Sequence, residues 1–108
     1  MNRFMIQASY TKEAVASLVG QPEDRSEVVR PLIEQLGGRL IDFYFCLGDY
    51  DVVLIAELPN DTAALAFDMA VVVPGHLEKV KTTVLLTGEQ TVMAMKEASV
   101  VSLRAPGM

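Results

Sequence analysis

Residues 39–58, RLIDFYFCLGDYDVVLIAEL, set two long apolar runs on either side of Gly48-Asp49. Branched and aromatic side chains fill both runs, and they fill both parities. In the first run Leu40, Asp42, Tyr44 and Cys46 fall on one side, and Ile41, Phe43, Phe45 and Leu47 on the other. Successive strand residues point to opposite faces of a sheet, so a sheet with one solvated face shows a polar residue at every second position. Strands that are apolar on both sides need cover on both sides. The Gly-X pair between them predicts a tight hairpin, and Pro59 ends the returning strand.

The flanking segments alternate between the two periodicities. Residues 3–10, RFMIQASY, put Phe4, Ile6, Ala8 and Tyr10 on one face and Met5, Gln7 and Ser9 on the other, which predicts a strand. Thr11 suits the N-cap of a short helix whose buried stripe is Val15, Leu18 and Val19. A second helix is expected from about Asp24 or Ser26, with Val28, Val29, Leu32, Ile33 and Leu36 inward. Pro31 predicts a kink or a late start in it, and Gly37-Gly38 a stop. Asn60 or Asp61 caps a helix over about 61–73. That helix is apolar nearly all round apart from Asp68, so two covered faces are expected. Pro74-Gly75 turns the chain into a fourth strand within 78–86. Thr87 and Gln90 form a capping-box pattern for a last helix through Ala98, and residues 99–104 are read as extended.

The order β-α-β-β-α-β plus a C-terminal helix predicts an α+β, ferredoxin-like protomer, a four-stranded antiparallel sheet with helices on one face. Residues 1–98 are read as a single domain and 99–108 as a C-terminal extension. Hydrophobic residues make up 51% of the 108, more than a small monomer can bury. A second copy packed sheet to sheet, giving a dimeric α/β barrel, would cover the bare face. The expected partner is therefore the chain itself, as a homodimer or higher oligomer, together with a small-molecule ligand. The net charge of −5 argues against nucleic acid, and no basic amphipathic stretch suits a membrane surface. One cysteine excludes an intrachain disulfide, and MNRFMIQASYTKE lacks the apolar core of a signal peptide. The expectation is a soluble, cytoplasmic protein.

The stretch GGRLIDFYFCLGDYDVVLIAELPND resembles the core of the GYD domain family of small bacterial and archaeal proteins. The glycine, tyrosine and aspartate of that name are Gly48, Tyr50 and Asp51 here. The preceding Gly-Gly, Tyr44 and the Glu57-Leu58-Pro59 ending also fit. The resemblance covers about residues 2–95, with departures at the HLEK segment, 76–79, and after residue 99. It implies a dimeric α/β-barrel fold and no settled activity. Relatives by fold include cofactor-free monooxygenases, isomerases, haem-binding proteins and ligand-sensing modules, among which fold alone does not choose.

Turn chemistry accounts for Gly48, Tyr50 and Asp51: a glycine at positive φ, a ring at the strand entrance, and a carboxylate that can accept backbone N–H groups. They are read as a structural turn motif rather than a catalytic one. Stacking the more polar strand faces gathers Gln7, Ser9, Asp42, Tyr44, Glu57, Lys81 and Thr83. Such a set inside a dimer is either an interface network or a ligand pocket. The candidate ligand-binding residues are Asp42, Tyr44, Glu57 and Lys81, with His76 from the loop before the fourth strand. His76 is the only histidine, and no ligand spacing for a metal surrounds it, so no metal or cofactor is expected. Cys46 reads as a buried structural thiol. The expected function is a homo-oligomeric small-molecule-binding protein or a cofactor-independent enzyme. The alternative is a structural or regulatory oligomer without chemistry.

Overall fold

A computed structural model describes residues 1–107; Met108, the last residue of the C-terminal extension, lies outside them. The chain runs β1 (Asn2–Tyr10), α1 (Lys12–Gly20), α2 (Ser26–Gln35), β2 (Arg39–Phe45), β3 (Val52–Leu58), α3 (Asp61–Val72), β4 (Leu77–Leu85) and α4 (Gly88–Ala98). The strands form one antiparallel sheet in the order β2-β3-β1-β4. This is the ferredoxin-like α+β arrangement, with β1 central and both crossovers helical. No helix among the described residues is long and apolar enough to cross a membrane.

Local chemistry starts the helices where the sequence suggests. Thr11, Asn60 and Thr87 each accept a backbone N–H with their side chains, and Thr87 and Gln90 close a full capping box. Helix α2 begins at Ser26 and runs through Pro31 without interruption. Gly37, at φ +83°, ends it in the left-handed region that glycine favours. Gly38 has a different constraint: a Cβ there would lie 2.2 Å from the Glu57 carbonyl oxygen and 2.7 Å from Leu58 Cδ2. The close approach seats the start of β2 against the end of β3.

The core lies between the sheet and the helices, built on Phe4, Ile6, Leu40, Leu54, Ala56 and Leu58 from the strands and Ile33, Ala64 and Phe67 from the helices. Its pattern departs from the sequence reading at several points. Strand β2 does not alternate strictly. Leu40 pairs with Ala56 and Asp42 with Ile55, so Ile41 is the extra residue of a β-bulge. The bulge turns Leu40 to the helix side with Phe43 and leaves Asp42 and Tyr44 on the open side with Arg39. The hairpin is wider than Gly48-Asp49: residues 46–51 form it, closed by Cys46 N–H donating to the Asp51 carbonyl at 2.8 Å. Val15 and Val19 are exposed rather than inward, because only Ala14 and Leu18 of α1 approach the body, and Val28 of α2 is exposed as well. Residues 101–105 take no regular secondary structure.

Helix α3 is covered on one face, not two. Ala64 and Phe67 are buried, while Leu65, Met69 and Val72 form an exposed stripe. Asp68 packs toward β4, where Thr82 Oγ1 donates to its Oδ2 at 2.5 Å. Its Oδ1 is buried without a partner, and burial pushes the carboxyl above its usual range against the opposing Thr82 hydrogen bond. Helix α4 buries no residue and extends a chain that measures 61 × 34 × 22 Å.

The Gly38 contact is testable. Gly38→Ala must displace β3 backbone and should lower unfolding free energy by about 2 kcal/mol or more. Gly20→Ala, with open space at its Cβ and no positive φ, should leave stability unchanged or raise it by about 0.5 kcal/mol. Equal effects in urea titrations would refute the close-approach account.

Candidate functional site

The two faces of the sheet carry different chemistry. Register sets the open face in rows across β2, β3, β1 and β4. Arg39, Glu57, Arg3 and Leu85 form one row; Asp42, Ile55, Met5 and Thr83 the next; Tyr44, Val53, Gln7 and Lys81 a third. Four of the sequence-derived candidates, Asp42, Tyr44, Glu57 and Lys81, therefore share this face. They do not converge. Lys81 stands on the edge opposite Asp42 and Tyr44, three strand spacings or roughly 14 Å away. The cations that meet Glu57 are arginines: Arg39 Nε donates to Oε1 at 3.1 Å and Arg3 Nη2 to Oε2 at 3.3 Å. Hydrogen bonds from Arg39 first, then Arg3, hold the Glu57 carboxyl below its usual range.

His76 belongs elsewhere. It lies at the start of β4 on the helix side, and with it the structure forms a cleft that the sequence reading did not anticipate. The floor is the helix face of the sheet, where Ala8 is the small side chain on the central strand. Val29 and Leu32 of α2 and Phe67 and Val71 of α3 form the walls. The chamber between them measures about 160 Å³. It opens past Arg25, Pro74 and His76 into a shallow vestibule that also takes in Tyr10, Thr11 and Glu23.

Tyr10 and His76 are held at the mouth through their backbones. At Ser9/Tyr10 the pairing of β1 with β4 shifts register. On its other side β1 ends its pairing with β3 at Ala8 and Val52; beyond it the Tyr10 N–H donates to Asp51 Oδ2 at 2.8 Å, while Asp51 N–H donates to the Ala8 carbonyl at 2.9 Å. The aspartate of the turn motif thus fixes the residue that lines the mouth. Gly48 sits at φ +125°. The Asp49 carbonyl accepts from Ser9 Oγ and from Lys79 Nζ, both at 3.2 Å, and Lys79 Nζ stands 4.9 Å from the centre of the Tyr50 ring. Turn and β4 are tied through these contacts. On the other side of the mouth, Thr11 N–H donates to the His76 carbonyl at 2.9 Å. The Tyr10 and His76 rings stack at 6.1 Å.

Electrostatics give the mouth a definite donor character. Arg25 Nη1 pairs with Glu23 Oε1 at 2.6 Å. Burial alone would lower the Arg25 pKa; the Glu23 hydrogen bond and Tyr10 raise it, so the guanidinium stays charged. Burial pushes the Tyr10 phenol up despite the opposing Arg25 charge and hydrogen bond. Burial, then the Arg25 charge, lowers the His76 imidazole. At neutral pH the mouth therefore offers a cation, a neutral imidazole and a phenol O–H. Tyr10 and Arg25 were absent from the sequence-derived candidates. The available signals were Tyr10's polar tip at the end of a buried strand face and Arg25's place just before α2. Among the described residues no three His, Cys, Asp or Glu side chains gather in a way that could hold a metal ion.

The GYD domain pattern matches residues 4–95. No curated protein matches the chain. Among solved structures, MtbAldR aligns with a TM-score of 0.55 at 17% identity, over 80% of this chain and 52% of its own. This chain thus spans about half the length of that protein. TTHA0845 from Thermus thermophilus aligns with a TM-score of 0.53 at 13% identity, over 82% of this chain and 96% of its own. At these identities the likeness is one of fold.

The state of His76 has a pH signature. Its folded pKa lies below the ordinary 6.5, so its contribution to stability is present above that value and is lost as pH falls through the folded one. Glu57 acts in the same direction only near and below its ordinary 4.5. The difference in unfolding free energy between wild type and His76→Gln should therefore shrink from pH 7 to pH 5. A constant difference across that range would show that the imidazole is not held neutral.

Proposed function

The chain belongs to the GYD domain family, and from that premise we propose that it is a homo-oligomeric small-molecule-binding protein whose ligand enters the cleft between the sheet and helices α2 and α3. The observation that carries this reading is the chamber itself, about 160 Å³ with apolar walls, opening onto the polar side chains Tyr10, Arg25 and His76. An apolar pocket with a few convergent polar groups is the usual form of a small-molecule site. The neutral imidazole also provides a proton acceptor at the mouth, the part a cofactor-independent reaction would use.

The open face is assigned to a second copy, not to the ligand. Tyr44 is 61% exposed there, and Val53, Ile55 and Met5 remain partly exposed. The N-terminal half of α4 borders the Arg3–Glu57 end of this face with Glu89, Gln90 and Met93. Sheet-to-sheet packing would cover these side chains and enclose the Arg39–Glu57–Arg3 network, with Asp42, Tyr44 and Lys81 at the same interface.

Two experiments test the assignment. Val29→Phe should fill the chamber: stability should hold or rise by about 1 kcal/mol, while binding of toluene, followed by methyl NMR shifts of Leu54 and Val80, should vanish from a protein that otherwise binds it. A wild-type protein that takes up no single-ring compound, toluene included, would refute the cleft as a binding site. For the interface, Glu57→Gln leaves two guanidinium groups facing each other without their anion. In a covered network that should clearly weaken dimerisation relative to wild type, read by sedimentation equilibrium. A monomeric wild type, or a dimer affinity unchanged by the substitution as for an exposed pair, would remove the second copy from this face.

A further inference from the structure

We propose that the ligand of the cleft is a small anion with an apolar body about the size of one six-membered ring, its charged end seated on Arg25 beside Tyr10 and His76. The inference rests on the cleft being a ligand site and adds the chemistry of what it takes.

Size comes from the chamber. An apolar cavity of about 150 Å³ accepts a benzene ring, and this one measures about 160 Å³. Larger molecules would have to leave atoms in the vestibule, which is wide and open beyond Pro74 and His76. The inner end offers nothing polar to a ligand, since Ile6, Ala8, Leu54 and Val80 form its floor. A second polar group at the far end of the ligand would be left without a partner, at a cost.

Charge comes from the mouth. Arg25 carries five N–H donors in a planar fork suited to carboxylate; one goes from Nη1 to Glu23 and one reaches the Tyr10 hydroxyl, which leaves donors for a ligand. The Tyr10 hydroxyl and the neutral His76 ring can each donate as well. The one carboxylate paired with the guanidinium, Glu23, sits on a surface turn with its side chain 49% exposed, free to give way to an incoming anion. An ammonium ligand would face Arg25 at the same opening, where like charges repel.

A titration series of benzoate, benzamide, benzylamine and toluene, followed by protein-observed NMR on wild type and three variants, tests this. Benzoate should bind more tightly than the other three, and benzylamine most weakly. Arg25→Met should weaken benzoate at least tenfold, about what the loss of a charged hydrogen bond implies, while toluene still binds, which verifies that the variant keeps its chamber. Arg25→Lys should fall between, since it keeps charge without the fork. Glu23→Gln should tighten benzoate, a gain that a merely structural role for the Glu23–Arg25 pair does not produce. If toluene or benzylamine binds as tightly as benzoate, or Arg25→Met leaves benzoate affinity unchanged, the anion assignment is overturned while the cleft remains a binding site. If none of the four binds the folded wild type, the cleft reading falls and this inference with it.

Discussion

Where the pairing of β1 with β3 ends at Ala8 and Val52, the carboxylate of Asp51 takes the amide of Tyr10. Much of the molecule's working geometry depends on that one hydrogen bond. Without it a backbone donor on a residue only 8% exposed would be left unpaired at the end of the central strand, which is costly. With it, the strand ends at a fixed point, and the Tyr10 ring lies against His76 and near Phe45. Thr11 can then cap α1 and donate its amide to the His76 carbonyl. The turn motif is thus structural in what it touches, yet what it positions is the mouth of the cleft.

The two sheet faces divide the remaining tasks. On the helix side, β1 contributes large side chains at Phe4 and Ile6 and then a small one at Ala8. The core is consequently solid toward the N-terminal end of β1 and hollow toward its C-terminal end, where α2 and α3 do not close over the floor. On the open side the arginines and Glu57 satisfy one another, and the adjoining rows are a mixture of apolar and polar side chains with no cover within the protomer. The exposed stripe on α3 and the projecting α4 add further apolar surface. These surfaces account for much of the high apolar content that the composition displays.

The sequence-derived site illustrates how far strand alternation reaches. Parity alone placed Asp42, Tyr44, Glu57 and Lys81 on a common face, and the register agrees. Parity cannot order strands, so it could not tell that Lys81 stands at the opposite edge from Asp42, or that Arg3 and Arg39 flank Glu57. It also failed locally at Leu40, where the Ile41 bulge reverses the phase. A bulge depends on what the partner strand offers, and Gly38 pressed against Glu57 is one such condition.

What the sequence by itself determined is whatever acts within a few residues: the caps at Thr11, Asn60 and Thr87, the stop at Gly37, the alternation of β1, and from these the order of elements and the ferredoxin-like fold. Hydrogen bonds between a side chain and the backbone three residues on, and the two-residue period of a strand, are local physics and can be read along the chain. Only the tertiary structure decided the cleft. Tyr10, Arg25 and His76 come from three separate segments, and none carries a local signal strong enough to mark it. They meet because β1 lies beside β4 and α2 starts above the end of both, and their protonation follows from the burial and the shared charge that this meeting creates.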